Sequence, residues 1–214
     1  MISVVIFDLD GVLVDSQPLQ YQSYNEVFSK YGHQIAKKDW LEWIHHGMDH
    51  TQLIKREKLP LDPKVIHNEK MLLYAQLIDS TMVLKSGVKE LIDQLVNNQY
   101  RLCIASASRI ESIEQIVKKF ALEASFEYLL SDRDIEFPKP HPHIFLEAAR
   151  LMGVTPEECV VIEDSLAGLR AAKAAGMRCI ICPDPWMDEP LPDYTGADMM
   201  VKSLDEVTVE MIQG

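Results

Sequence analysis

A chain of 214 residues, 47% of them apolar, is long enough for one large globular domain or two small ones. With 21 basic and 33 acidic residues its formal charge is −12, which argues against nucleic acid or an anionic membrane as partner. It leaves room for an anionic substrate, because a metal and a few placed cations invert the local field. No stretch approaches the ~20 apolar residues of a membrane span, and the N-terminus enters a strand with no signal-peptide pattern, so a cytoplasmic address is expected.

Val4-Val5-Ile6-Phe7 is β-branched and aromatic, a buried strand in pattern. It delivers Asp8-Leu9-Asp10-Gly11 to the carboxyl end, where open α/β sheets place ligands. Side chains alternate along a strand, so Asp8 and Asp10 project to the same side. Two crowded carboxylates repel unless a cation or a proton sits between them. That arrangement suits a divalent metal, with one carboxylate as nucleophile and the other as acid and base.

Residues 17–82 read as a small helical insert. Pro18 and Ser16 suit a helix entry, with Leu19, Tyr24, Val27, Phe28 and Tyr31 forming an imperfect apolar face. Asp62-Pro63 starts a longer helix through Met71, Leu72, Ala75 and Ile78. From Ser86 the pattern is regular. Val88, Leu91, Ile92, Leu95 and Val96 make one helix face. Strand 101–106, a helix with Ile113, Ile116, Val117 and Phe120, and a strand near 126–130 follow. A helix over 142–152, strand 159–163, helix 166–175, strand 178–182, a short strand near 199–201 and a helix from Asp205 complete the chain. This alternation predicts an α/β fold, a parallel sheet covered on both faces by right-handed crossovers.

Cys103, Cys159 and Cys179 fall in or beside apolar strands and are expected as buried thiols. Cys179 and Cys182 have C-x-x-C spacing but lack an electropositive helix start or a second ligand pair. Trp40, Trp43 and Trp186 read as core, and a monomer is favoured.

The strand ends collect polar residues: Asp8 and Asp10, then Ser106-Ala107-Ser108, then Glu163-Asp164-Ser165, with Lys139-Pro140 on a loop. Acids, a hydroxyl and an amine on one sheet edge make a site for Mg²⁺ and a phosphoryl group. Each residue also has a structural role open to it. Asp164 could cap the helix at 166, Ser106 the helix at 109–120, and Lys139 could be a solvated loop lysine.

Taken together, Asp8-Leu9-Asp10-Gly11-Val12-Leu13-Val14-Asp15-Ser16, Ser106, Lys139-Pro140 and Glu163-Asp164-Ser165 resemble the four ordered motifs of the haloacid dehalogenase superfamily. The resemblance is greatest to the branch with β-phosphoglucomutase and small sugar-phosphate phosphatases, which carries a helical cap after the first motif. It implies a Rossmann-like core over 1–16 and 83–214 and a cap over 17–82. It implies Asp8 as nucleophile, forming an aspartyl-phosphate, and Asp10 as acid and base. Ser106, Ala107 and Lys139 would hold phosphoryl oxygens. Asp8, Asp10 through its carbonyl, and Asp164 would ligate Mg²⁺, with Glu163 in or next to the shell, while Asp15 would orient the loop.

Three other activities compete. Dehalogenases and phosphonatases of the superfamily usually lack the second acid, which is Asp10 here. A phospho-aspartate signalling domain would be shorter and without the insert. A mutase is the stronger alternative, yet Gln20 stands where its pattern has a His, Ile110 where it has an Asn, and His45-His46-Gly47-Met48-Asp49-His50 where it has a Lys and an Arg. Losing groups that grip a second phosphate points to hydrolysis of a small phosphorylated metabolite. His46 and His50 have helical metal-ligand spacing, but Gly47 is expected to break the helix. Gln20 and His50 are therefore read as cap residues facing substrate.

Overall fold

The computed structural model describes residues 1–45, 50–187 and 192–214, with the side chains of 43–45 left aside. The expectations placed on His46 and Gly47, and on the side chains of Trp43 and His45, lie outside the described residues. In chain order the elements are β1 (Val4–Phe7), α1 (Gln17–Lys30), α2 (Lys37–His45), α3 (His50–Arg56), α4 (Pro63–Ser80) and α5 (Val88–Asn97). Next come β2 (Arg101–Ser106), α6 (Ile110–Lys119), β3 (Tyr128–Ser131), α7 (His143–Met152), β4 (Cys159–Glu163), α8 (Leu166–Ala174), β5 (Arg178–Ile181), β6 (Met199–Met200) and α9 (Val209–Gln213). None of the described helices is long and apolar enough to cross a membrane.

Among the described residues the chain divides into two compact units. Met1–Asp15, Val83–Pro185 and residues 192–214 form an α/β unit, and Ser16–Met82 with Trp186 and Met187 form a helical one. In the α/β unit six strands pair in the order β3-β2-β1-β4-β5-β6, all parallel. The continuous apolar runs of β1 and β4 follow from this, since every residue of both is buried. Val4, Ile6, Cys103, Ala105, Val161 and Cys179 of the sheet pack against Ile144, Phe145, Ala148 and Met152 of α7 and Leu169 and Ala172 of α8. All four cysteines are free and buried, and burial pushes the Cys182 thiol up to about 11, so the C-x-x-C spacing is a packing feature.

Register decides which residues meet at the sheet edge. Phe7 lies beside Ile104 on one side and Ile162 on the other. The next residue of each strand therefore brings Asp8, Ala105 and Glu163 level. The chain order also reverses at β1, with β2 to one side and β4 to the other, so Asp8 leaves the sheet at its topological switch point.

The helical unit has its own core of Val27, Phe28, Ile35, Trp40, Leu41, Leu53, Ile54 and Ile66. Trp186, placed with the α/β segment by sequence position, lies here, its ring 5.9 Å from that of Tyr21. Asp62 caps α4 by accepting from the Lys64 amide at 2.8 Å, and Pro63 stands in the first turn. Ser16 precedes α1 without a side-chain capping bond. Trp40, Leu41, Trp43 and Ile44 give α2 a helical apolar spacing that the sequence reading passed over, whereas α3 spans only seven residues, and packing of Trp40, Leu41, Leu53 and Ile54 holds both. The last helix starts later than expected. Ser203 nucleates a 3-10 turn over Leu204–Glu206, and Thr208 caps α9 by accepting from Met211.

Candidate active site

The loop after β1 is a tight turn in which the Leu13 and Val14 amides both donate to the Leu9 carbonyl, at 2.9 and 3.1 Å. Gly11 has φ +83°, a conformation that disfavours any side chain, and an added Cβ would meet Asp164 Oδ2 at 2.1 Å and Asp184 Oδ2 at 3.2 Å. The glycine thus lets two carboxylates close on the Asp8–Asp10 loop.

Asp8 is 5% exposed. Lys139 Nζ donates to Asp8 Oδ1 at 2.6 Å, to Glu163 Oε1 at 2.7 Å and to the Ala105 carbonyl at 2.9 Å, so all three ammonium hydrogens are used. Lys139 is therefore an interior ion-pair residue, its side chain 5% exposed, and not a solvated loop lysine. The loop that presents it has a cis Lys139–Pro140 peptide. Burial opposes its charge, but Asp8 and Glu163 more than compensate and hold it protonated above the usual lysine range. For Asp8, burial outweighs the pull of Lys139, and with Glu163 and Asp10 nearby its carboxyl is pushed up to about 8.

Glu163 was expected in or beside a metal shell. Its Oε1 takes Lys139 and its Oε2 takes the Asp164 amide at 3.0 Å, the Ser165 amide at 3.0 Å and the Ser165 hydroxyl at 2.9 Å. Through these bonds Glu163 positions Lys139 and the turn into α8. A Cβ on Gly168 would lie 1.8 Å from Glu163 Oε1, so α8 needs glycine there to cover the carboxylate. Ser165 caps α8 by accepting from the Gly168 amide at 3.0 Å, which leaves Asp164 free of the capping role.

Asp10 lies in a hydroxyl cradle. Ser108 Oγ donates to Asp10 Oδ2 at 2.6 Å and Ser106 Oγ donates to it at 3.2 Å, while Asp10 Oδ1 is buried without a hydrogen-bond partner. Ser106 Oγ also accepts from the Ser108 amide at 3.0 Å, and the position before α6 belongs to Arg109, so Ser106 serves this loop and not the helix. Ala107 stands between them with its carbonyl accepting from Arg133 Nε at 3.1 Å, and Ser131 Oγ braces the Ser108 carbonyl at 2.7 Å.

Asp164 is held at its backbone by Tyr194, whose hydroxyl donates to the Asp164 carbonyl at 2.7 Å. Burial, followed by Glu163, Asp8 and Asp184, pushes its carboxyl well above the ordinary range. Asp184 and Lys85, which sequence reasoning missed, form a buried ion pair at 3.1 Å. The available signal was an acid three residues past the end of β5, between Pro183 and Pro185. Ser108 and Tyr194 were also missed as supports.

Gln20 and His50 belong to the helical unit. Gln20 Oε1 accepts from Lys70 Nζ at 2.5 Å. His50 Nε2 lies 3.1 Å from the Pro63 carbonyl and must donate there, which leaves Nδ1 to accept from the Tyr24 hydroxyl at 3.4 Å. Its ring stacks on His67 at 5.4 Å.

The α/β edge fits a hard divalent cation. Among the described residues Asp10 Oδ1 is buried and without a hydrogen-bond partner, and burial, followed by crowding with other acids, raises the proton affinities of Asp8 and Asp164. Among the described residues no three His, Cys, Asp or Glu side chains form a ready-made cage. That matches Mg²⁺ chemistry, in which one or two carboxylates share the ion with water and substrate oxygens.

A family model for haloacid dehalogenase-like hydrolases matches residues 5–182. Hexitol phosphatase B of Escherichia coli strain K12 is 32% identical over 219 residues, spanning 100% of this chain and 97% of that protein. The crystal structure of CbbY from Rhodobacter sphaeroides in complex with phosphate superposes with a TM-score of 0.89 at 27% identity, over 100% of both chains. A mutant of that protein in complex with xylulose 1,5-bisphosphate gives 0.85 at 28% identity over 96% of both.

Proposed function

The chain belongs to the haloacid dehalogenase-like hydrolases as a phosphatase, and we propose that it hydrolyses small phosphate monoesters of sugars or sugar alcohols, using Mg²⁺ and an aspartyl-phosphate on Asp8. The carrying observation is the different bonding of the two loop aspartates. Lys139 holds one oxygen of Asp8, and two serine hydroxyls hold one oxygen of Asp10.

Asp8, with Oδ1 fixed, attacks phosphorus through its second oxygen, and the ester oxygen departs with a proton from Asp10. Asp10 Oδ1 then takes a proton from the water that attacks the aspartyl-phosphate, releasing phosphate and restoring Asp8. Once Asp8 is esterified it no longer carries a full charge, so Lys139 is free to transfer a hydrogen bond to a phosphoryl oxygen. Ser106 and Ala107 bind the other oxygens from the loop after β2. Asp8, the Asp10 carbonyl and Asp164 would hold Mg²⁺, which would supply charge neutralisation for the phosphoryl group. Residues 17–82 act as the substrate-selecting cap, with Gln20 and His50 among its contributions.

A relative named hexitol phosphatase and a solved relative in complex with xylulose 1,5-bisphosphate support polyhydroxylated phosphates as the class. The test is phosphate release with Mg²⁺ from hexitol, hexose and pentose monophosphates. In parallel, β-glucose 1-phosphate with catalytic β-glucose 1,6-bisphosphate is followed for glucose 6-phosphate. Release without isomer formation is expected. Isomer formation with little release would overturn the hydrolytic reading in favour of a mutase.

A further inference from the structure

Of the acids at the sheet edge, Asp184 is without a part in the scheme above, and its surroundings are unusual for a buried carboxylate. It is 2% exposed. The Cys182 amide donates to the Glu163 carbonyl at 2.7 Å, which lays the segment after β5 alongside the turn carrying Asp164. Lys85 Nζ lies 3.1 Å from Asp184 Oδ1. The other oxygen, Oδ2, faces Gly11 from one side while Asp164 Oδ2 approaches it from another, so two carboxylates converge on one backbone carbon.

Lys85 is itself fixed. Its amide donates to the Leu13 carbonyl at 3.0 Å, and the Asp15 amide donates to the Val83 carbonyl at 3.2 Å, tying residues 83–85 to the loop after β1. Asp184 thus has one oxygen at Lys85 and the other at Gly11, where Asp164 Oδ2 also arrives. Burying a carboxylate is costly, and aiming it at a second one adds repulsion. The Lys85 ammonium lies at Oδ1, while Oδ2 is the oxygen that converges with Asp164 on Gly11.

We propose that Asp184 is a positioning residue for the divalent ion at Asp164: it adds a fixed negative charge behind that ligand and raises the site's affinity for the ion, while Lys85 sets how much of that charge is felt. The inference rests on the reading of Asp164 as a metal ligand. Groups that orient or polarise a metal ligand alter affinity by roughly 10- to 100-fold when removed. Asp184 does so without touching the phosphoryl group, so turnover at saturating Mg²⁺ changes far less than affinity. Lys85 acts in the opposite sense, because removing its charge leaves Asp184 less neutralised.

The experiment is direct binding of Mn²⁺ by electron paramagnetic resonance and of Mg²⁺ by calorimetry, on wild type, Asp184→Asn, Lys85→Met and Asp164→Asn, with substrate absent. Asp184→Asn is expected to weaken binding at least tenfold with kcat at saturating Mg²⁺ held within a few-fold, and Lys85→Met to tighten it. A merely structural ion pair would make both variants change in the same direction, which overturns the proposal, as does wild-type affinity in Asp184→Asn. If Asp184→Asn does not fold, Lys85→Met decides alone: tighter binding supports the proposal, and equal or weaker binding overturns it. Wild-type affinity in Asp164→Asn is a separate result and means that the underlying metal assignment has failed.

Discussion

Two buried lysines, one in each unit, meet different partners. Lys139 in the α/β unit is surrounded by acids, with Asp8 at 2.6 Å and Glu163 at 2.7 Å. Lys70 in the helical unit, 5% exposed, donates to the Gln20 amide oxygen and lies over the rings of Tyr74 at 4.4 Å and Tyr24 at 5.0 Å. An ammonium among carboxylates belongs to a network whose charge changes when one acid is esterified or protonated. Lys70 meets an amide oxygen and two aromatic faces, contacts that favour an ammonium at a fixed place. The first arrangement suits a group that takes part in chemistry, the second one that fixes a shape.

The largest effect expected on this contrast is at Asp8. Asp8→Asn removes the nucleophile and should lower turnover by about 10⁴-fold or more with an unchanged circular dichroism spectrum. Near-normal activity would sink the nucleophile assignment. Next, Lys139→Met leaves Asp8 and Glu163 facing each other without a cation and should cost about 3–5 kcal/mol of stability in urea unfolding. Lys70→Met removes an ammonium that is bonded to the Gln20 amide and lies over two tyrosine rings, and should cost about 2 kcal/mol, less than Lys139→Met. Equal losses from the two lysine variants would erase the distinction between the units.

A pH series sharpens it further. Because burial pushes the Asp8 carboxyl from 3.8 up to about 8, the folded, metal-free protein retains a proton in that window which the unfolded chain has lost. Its stability is therefore expected to fall as pH rises from about 4 to 8, and Asp164 acts in the same direction. Added Mg²⁺ should raise Tm more at pH 8 than at pH 5. A metal-free Tm that climbs across this range would contradict the raised carboxyl. Asp8→Asn should flatten the slope by a smaller, measurable amount.

Much of this was legible in one dimension. The apolar run Val4–Phe7 and the strand 159–163 announce a parallel sheet because both faces of such strands are buried, and polar residues just past them mark its ligand edge. Period and strand-end chemistry are local properties, so Asp8, Asp10, Ser106, Lys139 and Asp164 could be picked out without coordinates. The helix Lys37–His45 was legible too, in the helical spacing of Trp40, Leu41, Trp43 and Ile44, but was passed over, while the seven-residue His50–Arg56 is too short to show a period and packing defines it.

What required the tertiary structure was the partner of each charge. Glu163 and Asp164 are adjacent in sequence, yet one spends its oxygens on Lys139 and the Asp164–Ser165 turn while the other converges with Asp184 on Gly11. Lys85 and Asp184 lie about a hundred positions apart, and no local pattern joins them. The amino-acid order determined which groups arrive at the sheet edge, because strand ends and their register are set by side-chain alternation and burial. Folding alone decided which of those groups neutralise one another, because Coulomb interactions depend on distance through space and on burial, and neither is ordered along the chain.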